Sequence, residues 1–303
     1  MPPRFGVLGT GYWAQEAHAT ALAAADQADL VAIWGRDPAR TRAAADRFGV
    51  AGHTDLDRLL GEVDAVAIAV PPDVQAELAL RAAAAGRHLL LDKPLALSLE
   101  AADRVAAAVA DAGVASLVFF TLRFLPEVAA WVEEAAAAGD WQGGGGAWLG
   151  SVFTDPDSPF ATSPWRRAKG ALWDLGPHML ALALPLLGPV GRVTAAPGPG
   201  DTVHLVLGHE GGASSTLTLS QTAPPPAAWV GFGVYGPAGR SATPPFELAH
   251  LVALKEAIAQ LAAVAAAGAT THPCDVRLGR DTVAVLEAAE RFLTGGQPSS
   301  HAR

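Results

Sequence analysis

Three short groups of residues combine types and spacings that suit chemistry. The first is Gly9-Thr10-Gly11-Tyr12-Trp13-Ala14. A Gly-x-Gly-x-x-Ala run between a strand and a helix suits a dinucleotide: Gly9 permits a tight turn, Gly11 lets backbone approach a pyrophosphate, and Ala14 lets the helix pack close to the sheet. The free N–H groups and dipole of that helix start favour the anion. The second group is Leu89-Leu90-Leu91-Asp92-Lys93-Pro94, a short apolar strand ending in a charged pair and a proline. Ligands of open α/β sheets bind outside the carboxyl ends of the strands, so Lys93 is placed for chemistry rather than for solubility. The third is Asp174 with His178, four residues on and hence on the same helical face. A carboxylate close to an imidazole raises its pKa and fixes its orientation, which prepares it for proton transfer.

The adenosine end of a dinucleotide leaves a further mark. An acidic residue about twenty positions past the glycines holds the ribose 2′-hydroxyl of NAD. Here the second strand ends Ile33-Trp34-Gly35-Arg36-Asp37-Pro38, with Gly35 where the carboxylate is expected and Arg36 next. A missing carboxylate relieves repulsion of a 2′-phosphate, and Arg36 offers it a bidentate partner. The pattern favours NADP over NAD. Asp37 either reaches the ribose or caps the helix that Pro38 begins.

The elements that must position these groups alternate. Residues 5–8, 30–34, 65–70, 88–91 and 114–120 read as strands, and 14–25, 38–48, 74–86 and 99–113 as helices. This alternation implies right-handed crossovers and a parallel sheet. Pro71-Pro72 stop the strand ending at Val70, and Asp73 is placed to cap the next helix. After residue 121 the composition changes. Strands are predicted at 147–154, 202–208, 214–221 and 229–235, the last three antiparallel, with helices at 246–267 and 280–293. Residues 143–146 and 224–226 read as loops. The fold class is α/β: a Rossmann dinucleotide-binding domain at 1–120, then an α+β domain at 121–303 with a large open, mostly antiparallel sheet, for substrate binding and oligomerisation.

Composition narrows the functional classes. Half of the 303 residues are hydrophobic and 17% charged, enough for two domains with a sizeable core. No apolar stretch approaches the roughly twenty residues of a spanning helix, and Met1 to Leu8 runs into a strand without the layout of a signal peptide. A net charge of −9 argues against a nucleic-acid surface. A single cysteine, Cys274, excludes an internal disulfide and a thiolate metal site. His204, His209, His250 and His272 lack metal-like spacing and are taken as structural or exposed. The expectation is a cytoplasmic protein with no metal, nucleic-acid or membrane partner.

The glycine turn, the segment Asp64 to Pro72, the run Ala85 to Ala96 containing Asp92-Lys93-Pro94, and Trp165-Arg166 with Leu172-Trp173-Asp174-Leu175-Gly176-Pro177-His178 together resemble the Gfo/Idh/MocA oxidoreductases. The resemblance covers the whole first domain and the start of the second. It implies NAD(P)-dependent oxidation of a sugar, cyclitol or related polyol, or the reverse reduction. Carried over by position, Lys93 lies beside the nicotinamide and the reacting hydroxyl, Asp174 and His178 form the proton-handling pair, and the peptide before Pro94 is often cis. Gly9, Thr10, Gly11, Tyr12, Trp13, Gly35, Arg36, Val70, Pro71, Pro72, Asp92, Lys93 and Pro94 are the candidate cofactor contacts. Arg123, Trp165 and Arg166 are the candidate substrate contacts.

The chain departs from the family pattern at four places. Asp92 replaces the usual glutamate, Gln75 stands at a usual histidine, Ala181 at a usual aspartate, and Lys169 intrudes near the expected pocket. Two other functions share much of this sequence: an NAD-assisted glycosidase, which releases no reduced cofactor, and a non-catalytic cofactor-binding sensor or assembly subunit. A large exposed sheet face also implies a homodimer or homotetramer.

Overall fold

The computed structural model describes residues 1–295 and divides into two compact units. The first unit comprises Met1–Leu125 and Glu247–Arg280. Its strands are β1 (Arg4–Leu8), β2 (Asp29–Trp34), β3 (Ala51–His53), β4 (Ala65–Ile68), β5 (His88–Asp92) and β6 (Ser116–Phe119). All pair in parallel in the order β3-β2-β1-β4-β5-β6, so the strand order reverses between β1 and β4. Phe5, Val7, Leu8, Val66, Ala67, Ile68 and Leu89–Leu91 are fully buried, as parallel strands covered on both faces must be.

The crossovers are α1 (Thr20–Ala23), preceded by a π-helical stretch Ala14–Ala19, then α2 (Pro38–Phe48), α3 (Leu56–Glu62), α4 (Pro72–Ala84) and α5 (Leu99–Ala112). Asp37 Oδ1 accepts from the backbone N–H groups of Ala39 and Arg40, so Asp37 serves as the cap of α2. The expected cap at Asp73 is corrected. Pro72 already opens α4, with Pro71 at the cap position, because proline's fixed φ suits the first helical turn. β3 and α3 went unseen in the sequence, being three and seven residues long. The sequence divides the domains at residue 120, whereas this unit runs on to Leu125 and regains 247–280. The apolar stripe Ala253, Leu254, Ala257, Ile258, Leu261 of the helix His250–Ala266 is buried here. Such a stripe looks the same whichever sheet it covers.

Burial pushes the Cys274 thiol up to about 11, with Asp275 adding to that shift and Arg123 opposing it. A raised thiol pKa keeps the folded form protonated, so its stabilisation is lost as pH rises from the unfolded value of about 8.5. Native protein is therefore expected not to react with a thiol-specific chromogenic disulfide at neutral pH, and to react once per chain after denaturation.

The second unit comprises Pro126–Phe246 and the chain from Asp281 on. It contains α6 (Pro126–Ala138), β7 (Gly143–Leu149), α7 (Pro164–Leu187), β8 (Val190–Pro197), β9 (Val203–His209), β10 (Ser214–Ser220), β11 (Trp229–Gly236) and β12 (Gly239–Ala242). The sheet order is β12-β11-β7-β10-β9-β8, antiparallel except for the β7–β10 pair. Of the three strands expected to pair consecutively, β9 and β10 do so, while β7 lies between β10 and β11.

The expected loop at 143–146 is the first half of that central strand. A Cβ on Gly146 would lie 2.3 Å from the Gly231 carbonyl oxygen, and one on Gly143 would meet the Tyr235 hydroxyl at 2.6 Å. Four glycines carry no pattern of alternating polarity, which is why only the part of this strand from Ala147 on was legible in the sequence. Weak alternation likewise hid β8 and β12.

The expectation that no segment reaches spanning length is also corrected. α7 is long and apolar enough by length and composition, with a mean hydropathy of 1.2, yet 89% of that window is buried, as befits a core helix. It is interrupted at Gly170, whose φ of 62° is a left-handed conformation that favours glycine. One rung of the sheet reads Thr194, Val206, Thr216, Gly145, Gly233, Ala242. Val206 there is 51% exposed, so this side is open and floored by small residues.

Candidate functional site

In the first unit the glycine turn lies where the strand order reverses, the place where ligands bind in such sheets. Gly9 has φ 137°, and a Cβ there would sit 2.4 Å from the Ala69 carbonyl oxygen. No other residue fits. A Cβ on Gly11 would meet nothing within 4 Å, which leaves the backbone there open to a phosphate group. Gln15 Nε2 donates to the Thr10 carbonyl at 2.9 Å, and Arg40 Nη2 reaches the same oxygen at 3.4 Å. Tyr12 is 55% exposed beside this turn. A Cβ on Gly35 would meet Thr10 Cγ2 and Thr41 Oγ1, each at 2.6 Å, so a carboxylate at that position would require both threonine side chains to move. With Asp37 engaged as a cap, the groups at the end of β2 are Arg36, exposed, and Arg40. These features fit a dinucleotide.

β5 delivers the second group. The Lys93–Pro94 peptide is cis, as the resemblance implied. Asp92 Oδ1 accepts the Lys93 backbone N–H at 2.8 Å, while Oδ2 lies 3.6 Å from Nε2 of the fully buried His18. Burial works to raise the Asp92 pKa, but His18 and Lys93 outweigh it and hold the carboxyl below its usual range. The π-helical stretch carries His18, and Trp13 on the same turn meets both His18 and His250 edge-on, at 6.2 and 5.4 Å between ring centres. Burial and the positive charge of Lys93 push the His250 pKa down, against Asp92. His250, taken from the sequence as structural or exposed, thus lies in the field of this cluster.

Gln75, standing at the histidine position of the family pattern, is 1% exposed and bonded to the turn that carries Lys93. Val70 and Pro71 connect β4 to Pro72 at the start of α4. Arg123, in the 3₁₀ turn Thr121–Phe124, lowers the pKa of His272 and opposes the rise at Cys274.

In the second unit α7 presents Asp174 and His178, each 4% exposed. Asp174 Oδ2 accepts from Arg166 Nε at 3.1 Å and from Gln221 Nε2. The Arg166 guanidinium lies over the rings of Phe160 and Trp165, at 4.5 and 4.8 Å. Two expected substrate contacts, Trp165 and Arg166, are therefore engaged with each other and with Asp174. Trp148 tilts against the His178 ring at 4.9 Å. Lys169 pairs with Glu290 at 2.9 Å and lies over Trp173, and Ala181 is fully buried.

Sequence reasoning missed His18, Gln221 and Trp148. Gln221 follows β10 directly, where Asp201 Oδ1 accepts its backbone N–H at 2.8 Å. Its position after a strand end was the only available signal, the same kind of signal that singled out Lys93.

Residues 3–120 match the family profile described as "Oxidoreductase family, NAD-binding Rossmann fold", and residues 147–241 match "GFO/IDH/MocA C-terminal domain". A dTDP-3,4-didehydro-2,6-dideoxy-alpha-D-glucose 3-reductase of Streptomyces violaceoruber is 30% identical over 259 residues, 74% of each chain. Levoglucosan dehydrogenase of Pseudarthrobacter phenanthrenivorans is 34% identical over 170 residues, 52% of this chain and 43% of its own. The chain thus spans less than half the length of the first curated relatives it matches. The solved structure of GenD2 from gentamicin A biosynthesis in complex with NAD superimposes with a TM-score of 0.81 at 25% identity, covering 98% of this chain and 95% of that one.

Proposed function

The chain belongs to the Gfo/Idh/MocA family of oxidoreductases, and from that premise we propose that it moves hydride between a nicotinamide cofactor and a hydroxyl or carbonyl carbon of a sugar, cyclitol or related polyol. The observation that carries the reading is the placement of Lys93 on a braced turn after β5, with only β4 between it and β1, which the glycine cradle follows. The bound cofactor supplies the hydride acceptor or donor. Gly9 and Gly11 would admit its pyrophosphate, Tyr12, Trp13 and the Val70–Pro72 segment would flank it, and Lys93 would stabilise the negative charge that develops on the substrate oxygen. His178 takes or returns the hydroxyl proton, an effect worth about 10²–10⁴-fold. Asp174 acts through its bonds to Arg166 and Gln221, which fix that stretch of α7.

The crowded Gly35 and the paired cations Arg36 and Arg40 support NADP over NAD. Each charge-assisted bond to a 2′-phosphate contributes about 1.5–3 kcal/mol. Arg36→Ala is therefore expected to weaken NADPH binding roughly 10- to 100-fold while leaving NADH within about twofold. Fluorescence titration of both cofactors, followed by absorbance assays on a panel including levoglucosan and myo-inositol, tests the whole reading. Failure to bind either cofactor would overturn it. A homodimer or homotetramer formed through the open face of the second sheet, in the cytoplasm, completes the proposal. The exposed Val206, Trp229 and Tyr235 support it, and light scattering measures it.

A further inference from the structure

We propose that Gln75 is the positioning residue of the Lys93 turn, holding the lysine in its working geometry through hydrogen bonds rather than through packing. This inference rests on the assignment of Lys93 to the chemistry. Gln75 lies in the first turn of α4, fully within the unit's interior. Its Nε2 donates to the carbonyl oxygens of Asp92 at 2.7 Å, Pro94 at 3.0 Å and Leu95 at 3.2 Å, two N–H groups serving three acceptors. Its Oε1 accepts the Asp92 N–H at 2.9 Å. One side chain therefore satisfies backbone groups on both sides of Lys93.

Asp92 is the last residue of β5 in register with β6, opposite Phe119; beyond it the chain leaves the sheet, and Gln75 supplies partners to the carbonyls of Pro94 and Leu95, which buried backbone groups require. The arrangement also fixes what the side chain must be. A carboxylate could accept from Asp92 but would face three carbonyl oxygens. A hydrocarbon could fill the space but would bond nothing. The amide does both, and its orientation is set by the opposite polarity of its two ends. Within the turn the Lys93 N–H donates to Asp92 Oδ1, whereas Gln75 ties the turn to α4.

The test compares Gln75→Ala, which leaves a hole, with Gln75→Leu, which refills it without hydrogen bonds, and with Lys93→Ala. The chain has three lysines, Lys93, Lys169 and Lys255, so ¹³C reductive methylation yields three dimethyl-lysine NMR signals, and Lys93→Ala identifies one of them. Both Gln75 variants are expected to shift or broaden the Lys93 signal alone. With levoglucosan and myo-inositol as probes, both should lower kcat about 10- to 100-fold, the scale set by a displaced catalytic group, with KM and the NADPH Kd within about threefold. Recovery of the Lys93 signal in the leucine variant would show packing to be the role and overturn the proposal. So would an unchanged signal in both variants. If Lys93→Ala turned over normally, the reading of Lys93 itself would fail, whereas the NMR comparison would still decide the placement of the turn.

Discussion

Lys93→Ala should lower turnover about 10³-fold while changing cofactor affinity less than about threefold. The asymmetry follows from how the two functions are distributed. In the proposed reading, cofactor affinity resides in the glycine turn and the end of β2, built from backbone N–H groups, Gly9, Gly11, Arg36 and Arg40. Lys93 sits on a different strand, at the end of β5, on a turn anchored through Asp92 and Gln75. Those anchors hold backbone groups, so truncating the side chain beyond Cβ leaves them in place. What is lost is a fixed cation where negative charge grows in the transition state, and a preorganised charge is worth far more there than in the ground state. Steady-state kinetics with the best substrate of the panel, alongside NADPH titration, measure both quantities. Turnover within a factor of ten of the parent would remove Lys93 from the mechanism, and a matching loss of NADPH affinity would make it a cofactor ligand instead.

Asp174→Ala should cost about 3–5 kcal/mol of stability in the second unit, more than a surface ion pair ever does. The Arg166 and Asp174 side chains are 16% and 6% exposed, and Gln221 is fully buried. Removing the carboxylate strands a guanidinium held between Phe160 and Trp165 together with a buried amide N–H. Most of the cost is therefore the penalty of the groups left behind. The double variant Asp174→Ala/Arg166→Met, which removes the stranded charge, should recover half or more of the loss. Denaturant midpoints of the parent, both singles and the double close the cycle. A loss below about 1 kcal/mol in the single variant would mean that the pair is effectively solvated.

The parts of the molecule legible in the sequence were those whose cause is local. Gly9, Gly11 and Ala14 announce themselves because a turn with φ 137° and a helix packed against a strand constrain neighbours in the chain. Asp92-Lys93-Pro94 is legible because an apolar run stops at a charge. What escaped depends on contacts between distant segments. The spacing of Asp174 and His178 points along one helix, yet Asp174 Oδ2 accepts from Arg166 across the Gly170 break and from Gln221 on a strand end 47 residues away. Gln75 looked like a departure from a pattern until the carbonyls around it were placed. The first half of β7 looked like a loop because its glycines answer to Tyr235 and Gly231, which the chain has not reached when they are read. The stripe at 253–261 named a buried face without naming what it covers.

The close fit of Thr10 and Thr41 around Gly35 has a consequence for how cofactor preference can change. Introducing an aspartate at position 35 is the shortest genetic step towards a ribose-binding carboxylate, and here that step displaces the Thr10 and Thr41 side chains. A smaller residue at 10 or at 41 would ease it, and gives no benefit until the aspartate arrives. A change at this site is thus subject to epistasis: two bystanders set the cost of a third substitution. Under the proposed NADP preference, a laboratory lineage selected for NAD would be expected to lose Arg36 first and to reach position 35 last.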